Sequence, residues 1–190
     1  MEFVLFDIGG VLCDVEPKRA EAVWSSLQHG NESIMTLMDS SGAKPRGDVG
    51  ALDAQGMASC LSDYIGTNVS EQELRTVWGA MVQWRPFVKE LTAALNVPYG
   101  VLSTIDPIHS DSLGDLEGAS PIVYSWKIGV AKPHKEAFMK AIAACPCEPK
   151  EILYLDDLEE NVAEANRCGM VAVQVKDERE IRRALGTMLR

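Results

Sequence analysis

Residues 2–10 read Glu-Phe-Val-Leu-Phe-Asp-Ile-Gly-Gly, a short apolar run that stops on Asp7 and gives way to Gly9 and Gly10. A run this short, closed by glycines, reads as a buried strand feeding a loop. Other stretches share its character. Val97 to Ser103 ends in Ser103-Thr104, and Ile152 to Leu155 ends in Asp156-Asp157. Pro121 to Ser125 precedes a loop holding Gly129, and Val171 to Val175 supplies the fifth strand. Helical spacing lies between them: Phe87, Leu91, Ala94 and Leu95; Ala137, Phe138 and Ala141; Val162, Ala163 and Ala165; Ile181, Ala184, Leu185 and Met188. Strands alternating with helices predict right-handed crossovers and a parallel sheet covered on both faces. Asp7, Ser103, Asp156 and Asp157 all fall at strand ends, the edge where open α/β sheets bind ligands.

Residues 14–86 interrupt this alternation. They offer no convincing strand but several helical stretches: Ala20, Val23, Trp24 and Leu27; Ile34, Leu37 and Met38; Met57, Leu61, Tyr64 and Ile65; Leu74, Val77, Trp78 and Met81. Ser70 with Glu73 is a capping-box signal for the last of them, and a glycine-rich link from Gly42 to Gly56 separates the halves. The length gives room for about four helices. The reading is an all-α insertion after the first strand, placed to cover the strand ends.

Composition narrows the function. The net charge is -10 with no run of Lys or Arg, a surface that repels a nucleic-acid backbone. No segment approaches the roughly 18 apolar residues of a membrane span. Glu2, with no basic leader, argues against a secretory signal. The five cysteines are odd in number and lack zinc-type spacing, which predicts reduced thiols in a cytoplasmic protein. Cys145-Pro146-Cys147 reads as a helix-ending turn.

Singly, each strand-end motif is ordinary turn and cap chemistry. Their succession is not: FDIGGVLCD at the start, VLSTIDPIH in the middle, then KIGVAKPHKEAF and ILYLDDLEENV. Together these resemble the haloacid dehalogenase (HAD) superfamily of hydrolases, in particular small phosphatase-like members with a helical cap. The resemblance implies a Rossmann-like parallel sheet formed by residues 1–13 and 87–190, with residues 14–86 as the cap. It implies Asp7 as nucleophile through an aspartyl-phosphate, with Mg²⁺ held by Asp7, Asp157 and the backbone carbonyl of Gly9. Asp156 would be a nearby or water-mediated partner of that ion. Ser103 and Thr104 would bind the substrate phosphate, and Lys132 would offset the acidic cluster and the phosphate. The expected substrate is a small phosphorylated metabolite and the reaction phosphoric monoester hydrolysis, by a monomer or homodimer.

Two positions depart from the family pattern. Residue 9 is commonly a second Asp that acts as general acid and base; here it is Gly9. The metal contact there is a backbone carbonyl and survives, but the proton shuttle does not, a loss worth about 10²- to 10⁴-fold in rate. Thr104 stands where Asn is common. Gly9 therefore leaves three readings open: a slow or leaving-group-selective phosphatase, with Asp14 or Glu16 as possible substitute acids; a degenerate member that binds a phosphorylated ligand or partner without turnover; and a metal-independent 2-haloacid dehalogenase. The last lacks the aromatic residue expected just after Asp7. Trp24, Trp78 and Trp84 read as core, Arg19 and Arg85 as candidates for the pocket wall, and His109 and His134 carry no catalytic role.

Overall fold

The computed structural model describes residues 1–114 and 116–190. After β1 (Phe3–Phe6) the chain forms β2 (Cys13–Val15), then helices α1 (Pro17–Ser26), α2 (Ile34–Ser40), α3 (Ala43–Asp48), α4 (Ala54–Ile65) and α5 (Glu71–Gly79), and returns through β3 (Val82–Trp84). Alternation then takes over. Helix α6 (Val88–Ala94) leads to β4 (Tyr99–Ser103), α7 (Pro107–Leu113), β5 (Ile122–Tyr124), α8 (Ser125–Ile128) and α9 (Lys135–Ala144). The chain closes with β6 (Ile152–Asp156), α10 (Glu159–Arg167), β7 (Val171–Gln174) and α11 (Glu178–Leu185).

The main sheet is parallel throughout, in the order β5-β4-β1-β6-β7. Its interior position explains why β1 is apolar at every residue. The period of two sends Phe3 and Leu5 to one face, against Phe138, Ala141 and Tyr154. Val4 and Phe6 go to the other, against Leu91, Val101, Leu155 and Ile181. Register then aligns the carboxyl ends: Phe6 lies opposite Val101 and Leu155. Asp7, Ser103 and Asp156 thus emerge side by side from β1, β4 and β6.

The helices α1 to α5 surround a cluster of their own, built on Trp24, Met38, Met57, Leu61, Leu74 and Trp78 and joined by Ile108 from α7. The expected capping box forms, Ser70 accepting from the Glu73 amide while Glu73 accepts from the Ser70 amide. Three sequence expectations need correction. The segment 14–86 is not wholly helical, since β2 and β3 pair antiparallel with Cys13 opposite Trp84 and Val15 opposite Val82. Trp84 accordingly sits in a strand, its indole donating to the Leu113 carbonyl at 2.8 Å. The link from Gly42 to Gly56 contains α3; Gly42, at φ 78°, starts that helix from a left-handed residue. The described residues thus give five helices rather than about four.

Candidate active site

The strand ends open into a cleft of about 660 Å³ whose walls include Asp7, Gly9, Asp14, Arg85, Ser103, Thr104, Lys132 and Asp157. Every strand-end residue singled out in the sequence lies on it except Asp156, which sits beneath its floor, fully buried.

Lys132 organises the floor. Its ammonium lies 2.8 Å from Asp7 Oδ1 and 2.7 Å from Asp156 Oδ2, and donates to Tyr154 Oη at 3.0 Å. The side chain is 3% exposed, so an unpaired charge there would be prohibitive; the two carboxylates make it tolerable. Burial by itself lowers the ammonium pKa, but Asp7 and Asp156 outweigh it and hold Lys132 above its ordinary value. Its three donors are all engaged, so Lys132 acts as a fixed charge beneath the cleft. The backbone amide of Lys132 donates to Thr104 Oγ1 at 3.0 Å. Thr104 therefore positions the lysine loop as well as lining the cleft.

Asp156 is saturated. Oδ1 accepts from the Leu158 amide at 2.9 Å and from Asn161 Nδ2 at 3.0 Å, while Oδ2 takes Lys132, Tyr154 Oη and Asn161. Burial pushes its carboxyl up, yet Lys132 and these hydrogen bonds bring it below the ordinary range. Asp7 differs. Burial, opposed by Lys132 and assisted by Asp156, raises its carboxyl to about 6. Burial and Asp156 also raise Asp157, which accepts no hydrogen bond from another side chain among the described residues.

One cation would fit this donor set. Carboxylate oxygens of Asp7, Asp156 and Asp157 lie within 4.8 Å of one another. One ammonium cannot offset three acids at that spacing. Since Asp156 is committed to other partners, Asp7 and Asp157 are the direct candidates. Among the described residues the Gly9 carbonyl accepts no hydrogen bond, and Gly9 lines the same cleft. Hard oxygen donors of this kind suit Mg²⁺.

The two glycines of the first loop have different reasons. Gly10 adopts φ 72°, and a Cβ there would overlap the Asp157 carboxylate. Gly9 has no such constraint: its φ is outside the left-handed region, and a Cβ would meet only Val15 Cγ2, at 3.6 Å. The backbone does not demand a glycine at position 9.

Sequence reasoning missed Tyr154, Asn161 and the pairing of Asp14 with Arg85. Tyr154 had a signal, since two residues before Asp156 on a strand means the same face. Asn161 had a weaker one, on the first turn of the helix after Asp157. Of the two pocket-wall candidates, Arg85 lines the cleft and Arg19 instead pairs with Glu16 at 2.9 Å. Trp24 and Trp78 are buried among the helices. His134 is exposed. His109 is buried, 2.9 Å from Asp106 Oδ2 and 3.0 Å from the Trp78 carbonyl, away from the cleft. No aromatic side chain lines the cleft among the described residues.

A family model described as haloacid dehalogenase-like hydrolase matches residues 1–169. Among solved structures, the chain is similar to a HAD family enzyme from Bacteroides thetaiotaomicron, solved in complex with magnesium and inorganic phosphate. The TM-score is 0.81 at 18% identity, covering 95% of this chain and 98% of that one. It is also similar to L-2-haloacid dehalogenase from Xanthobacter autotrophicus, with TM-score 0.65 and 18% identity over 99% of this chain and 84% of the dehalogenase. In sequence, 56 residues are 38% identical to glyceraldehyde 3-phosphate phosphatase of Methanopyrus kandleri, spanning 29% of this chain and 24% of the phosphatase. No helix among the described residues is long and apolar enough to cross a membrane.

Proposed function

The chain belongs to the haloacid dehalogenase-like hydrolases, and from that premise we propose that it is a Mg²⁺-dependent phosphatase of small phosphorylated metabolites, working through an aspartyl-phosphate at Asp7. The observation that carries the reading is the convergence of the Asp7 and Asp157 carboxylates on a cleft that Gly9 also lines, with Lys132 buried behind them. The magnesium and phosphate held by the Bacteroides enzyme and the phosphatase activity named for the Methanopyrus protein support it.

In this reading residues 14–86 cap the cleft and residues 1–13 with 87–190 carry the chemistry. Asp7, Asp157 and the Gly9 carbonyl would hold the ion, which when bound neutralises phosphate oxygens. Lys132 fixes Asp7 Oδ1 by a hydrogen bond, leaving Oδ2 free to attack phosphorus in line. Ser103, 3% exposed at the end of β4, has a hydroxyl with no partner among the described residues, free to donate to a phosphate oxygen. Asp156, Tyr154 and Asn161 hold Lys132 in place. No side chain extends from position 9 to protonate the leaving group, so aryl and acyl phosphates are the preferred esters.

The cleft does not favour a dehalogenase, because its lining among the described residues offers no aromatic cradle for halide. The test is phosphate release from a panel of aryl, acyl and alkyl phosphomonoesters with Mg²⁺ and with EDTA. Release that requires Mg²⁺ is expected; EDTA-insensitive turnover of chloroacetate would contradict the proposal.

A further inference from the structure

We infer that Asp14, held in place by Arg85, is the general base that activates the water hydrolysing the aspartyl-phosphate. The inference rests on the phosphatase reading and assigns the second half of its chemistry.

The case is one of elimination among the acids of the cleft. Asp7 is the attacking group and Asp157 a cation ligand. Asp156 has both oxygens occupied. Glu16 has both oxygens taken by Arg19, Oε2 accepting from Nε at 3.0 Å and Oε1 lying 2.9 Å from Nη2. Glu160 is exposed on the first turn of α10, with no partner among the described residues to orient it. Asp14 remains. Its Oδ1 receives Arg85 Nε at 2.7 Å, and Arg85 is itself anchored by a hydrogen bond from Nη1 to the Val11 carbonyl at 3.1 Å. Asp14 Oδ2 has no partner among the described residues, and the side chain is 46% exposed. One oxygen is therefore fixed and the other is presented to the cleft and to water.

The location fits as well. Asp14 belongs to β2, whose first residue bridges back to Gly9. A side chain at Gly9 would point toward Val15, the neighbour of Asp14. Gly9, Asp14 and Val15 all line the same cleft. In the assigned step the water oxygen bonds to phosphorus as the bond from phosphorus to the Asp7 oxygen breaks. That electron pair returns to Asp7 as a carboxylate, and the water proton passes to Asp14 Oδ2 and then to solvent. The first half of the reaction stays without an acid, and only the second half is assisted.

The experiment compares wild type, Asp14→Asn, Asp14→Glu and Arg85→Gln on p-nitrophenyl phosphate with Mg²⁺. Nitrophenol release is followed from the first turnover, and the phosphoryl group on Asp7 is quantified by mass spectrometry after acid quench. Asp14→Asn should give an undiminished first-turnover burst, then a steady state slower by about 10²- to 10⁴-fold, with phosphoryl-Asp7 accumulating. Asp14→Glu should recover part of the steady rate. Arg85→Gln, which keeps the carboxylate but frees its orientation, should slow the steady state less and leave the burst intact. An unchanged steady state in Asp14→Asn, or a burst slowed in step with it, would overturn the assignment. Wild type that releases neither nitrophenol nor phosphate would overturn the phosphatase reading, and the assignment with it. Because wild type alone decides that outcome, the two failures are distinguishable.

Discussion

At the scale of single residues, the site depends on one lysine and on two glycines with opposite constraints. Lys132→Ala leaves Asp7 and Asp156 facing each other without a counter-charge in a buried floor. The expected loss is about 3–5 kcal/mol of stability, read as a lowered denaturant midpoint; a midpoint equal to wild type would mean the acids relax into protonated or solvated forms. Gly10→Ala places a Cβ on the Asp157 carboxylate at a left-handed backbone, so both stability and Mg²⁺ affinity should fall, the affinity being measured by calorimetry. Gly9→Asp should fold normally, because only Val15 stands near the new Cβ. It should raise turnover of alkyl phosphates by a large part of the ~10²- to 10⁴-fold worth of a general acid. A folded Gly9→Asp protein that hydrolyses nothing would favour a ligand-binding role over catalysis. The sequence exposed Gly9 as a departure, but not which of the two glycines the backbone needs. That difference lies in the approach of Asp157, contributed from far along the chain.

At the scale of elements, α7 ties the helical region to the sheet. Asp106 caps this helix by accepting from the His109 amide at 3.0 Å, and it also accepts from the Trp78 indole at 2.9 Å. His109 stacks on Trp78 at 5.0 Å. Burial alone would raise the Asp106 carboxyl, but His109 and these hydrogen bonds hold it down to about 2. The native protein therefore binds fewer protons at Asp106 than the unfolded chain between about pH 4 and pH 2. The contribution, about 2 kcal/mol, is complete above the ordinary carboxylate pKa and is lost as pH falls toward 2. Thermal melts from pH 5 to pH 2.5 should show a shallower acid slope for Asp106→Asn than for wild type; equal slopes would place the acid sensitivity elsewhere. None of this was legible beforehand, since Asp106, His109 and Trp78 meet only once α5 and α7 pack. The strands β2 and β3 were hidden for a related reason. Each is three residues long and its partner is on the far side of the helical insertion, so neither shows a local period.

At the scale of the molecule, the parallel sheet was legible because its central strands β1, β4 and β6 are buried at every residue and so read as unbroken apolar runs. Each stops at a polar residue where β1, β4 and β6 reach the cleft. Phe6 aligned with Val101 and Leu155 brings Asp7, Ser103 and Asp156 to one edge, as the strand-end pattern implied. What the pattern could not supply is the division of labour among the acids, which follows from Lys132, Tyr154 and Asn161 saturating Asp156 while Asp7 and Asp157 stay open. The central claim is that Asp7 carries the phosphoryl group, and one measurement reaches it directly. Wild type and Asp7→Asn are incubated with Mg²⁺ and acetyl phosphate, quenched in acid, and mapped by peptide mass spectrometry alongside phosphate release. A phosphoryl group on Asp7 in wild type, with neither adduct nor phosphate release in a folded Asp7→Asn protein, is the predicted result. Undiminished phosphate release by Asp7→Asn would contradict it.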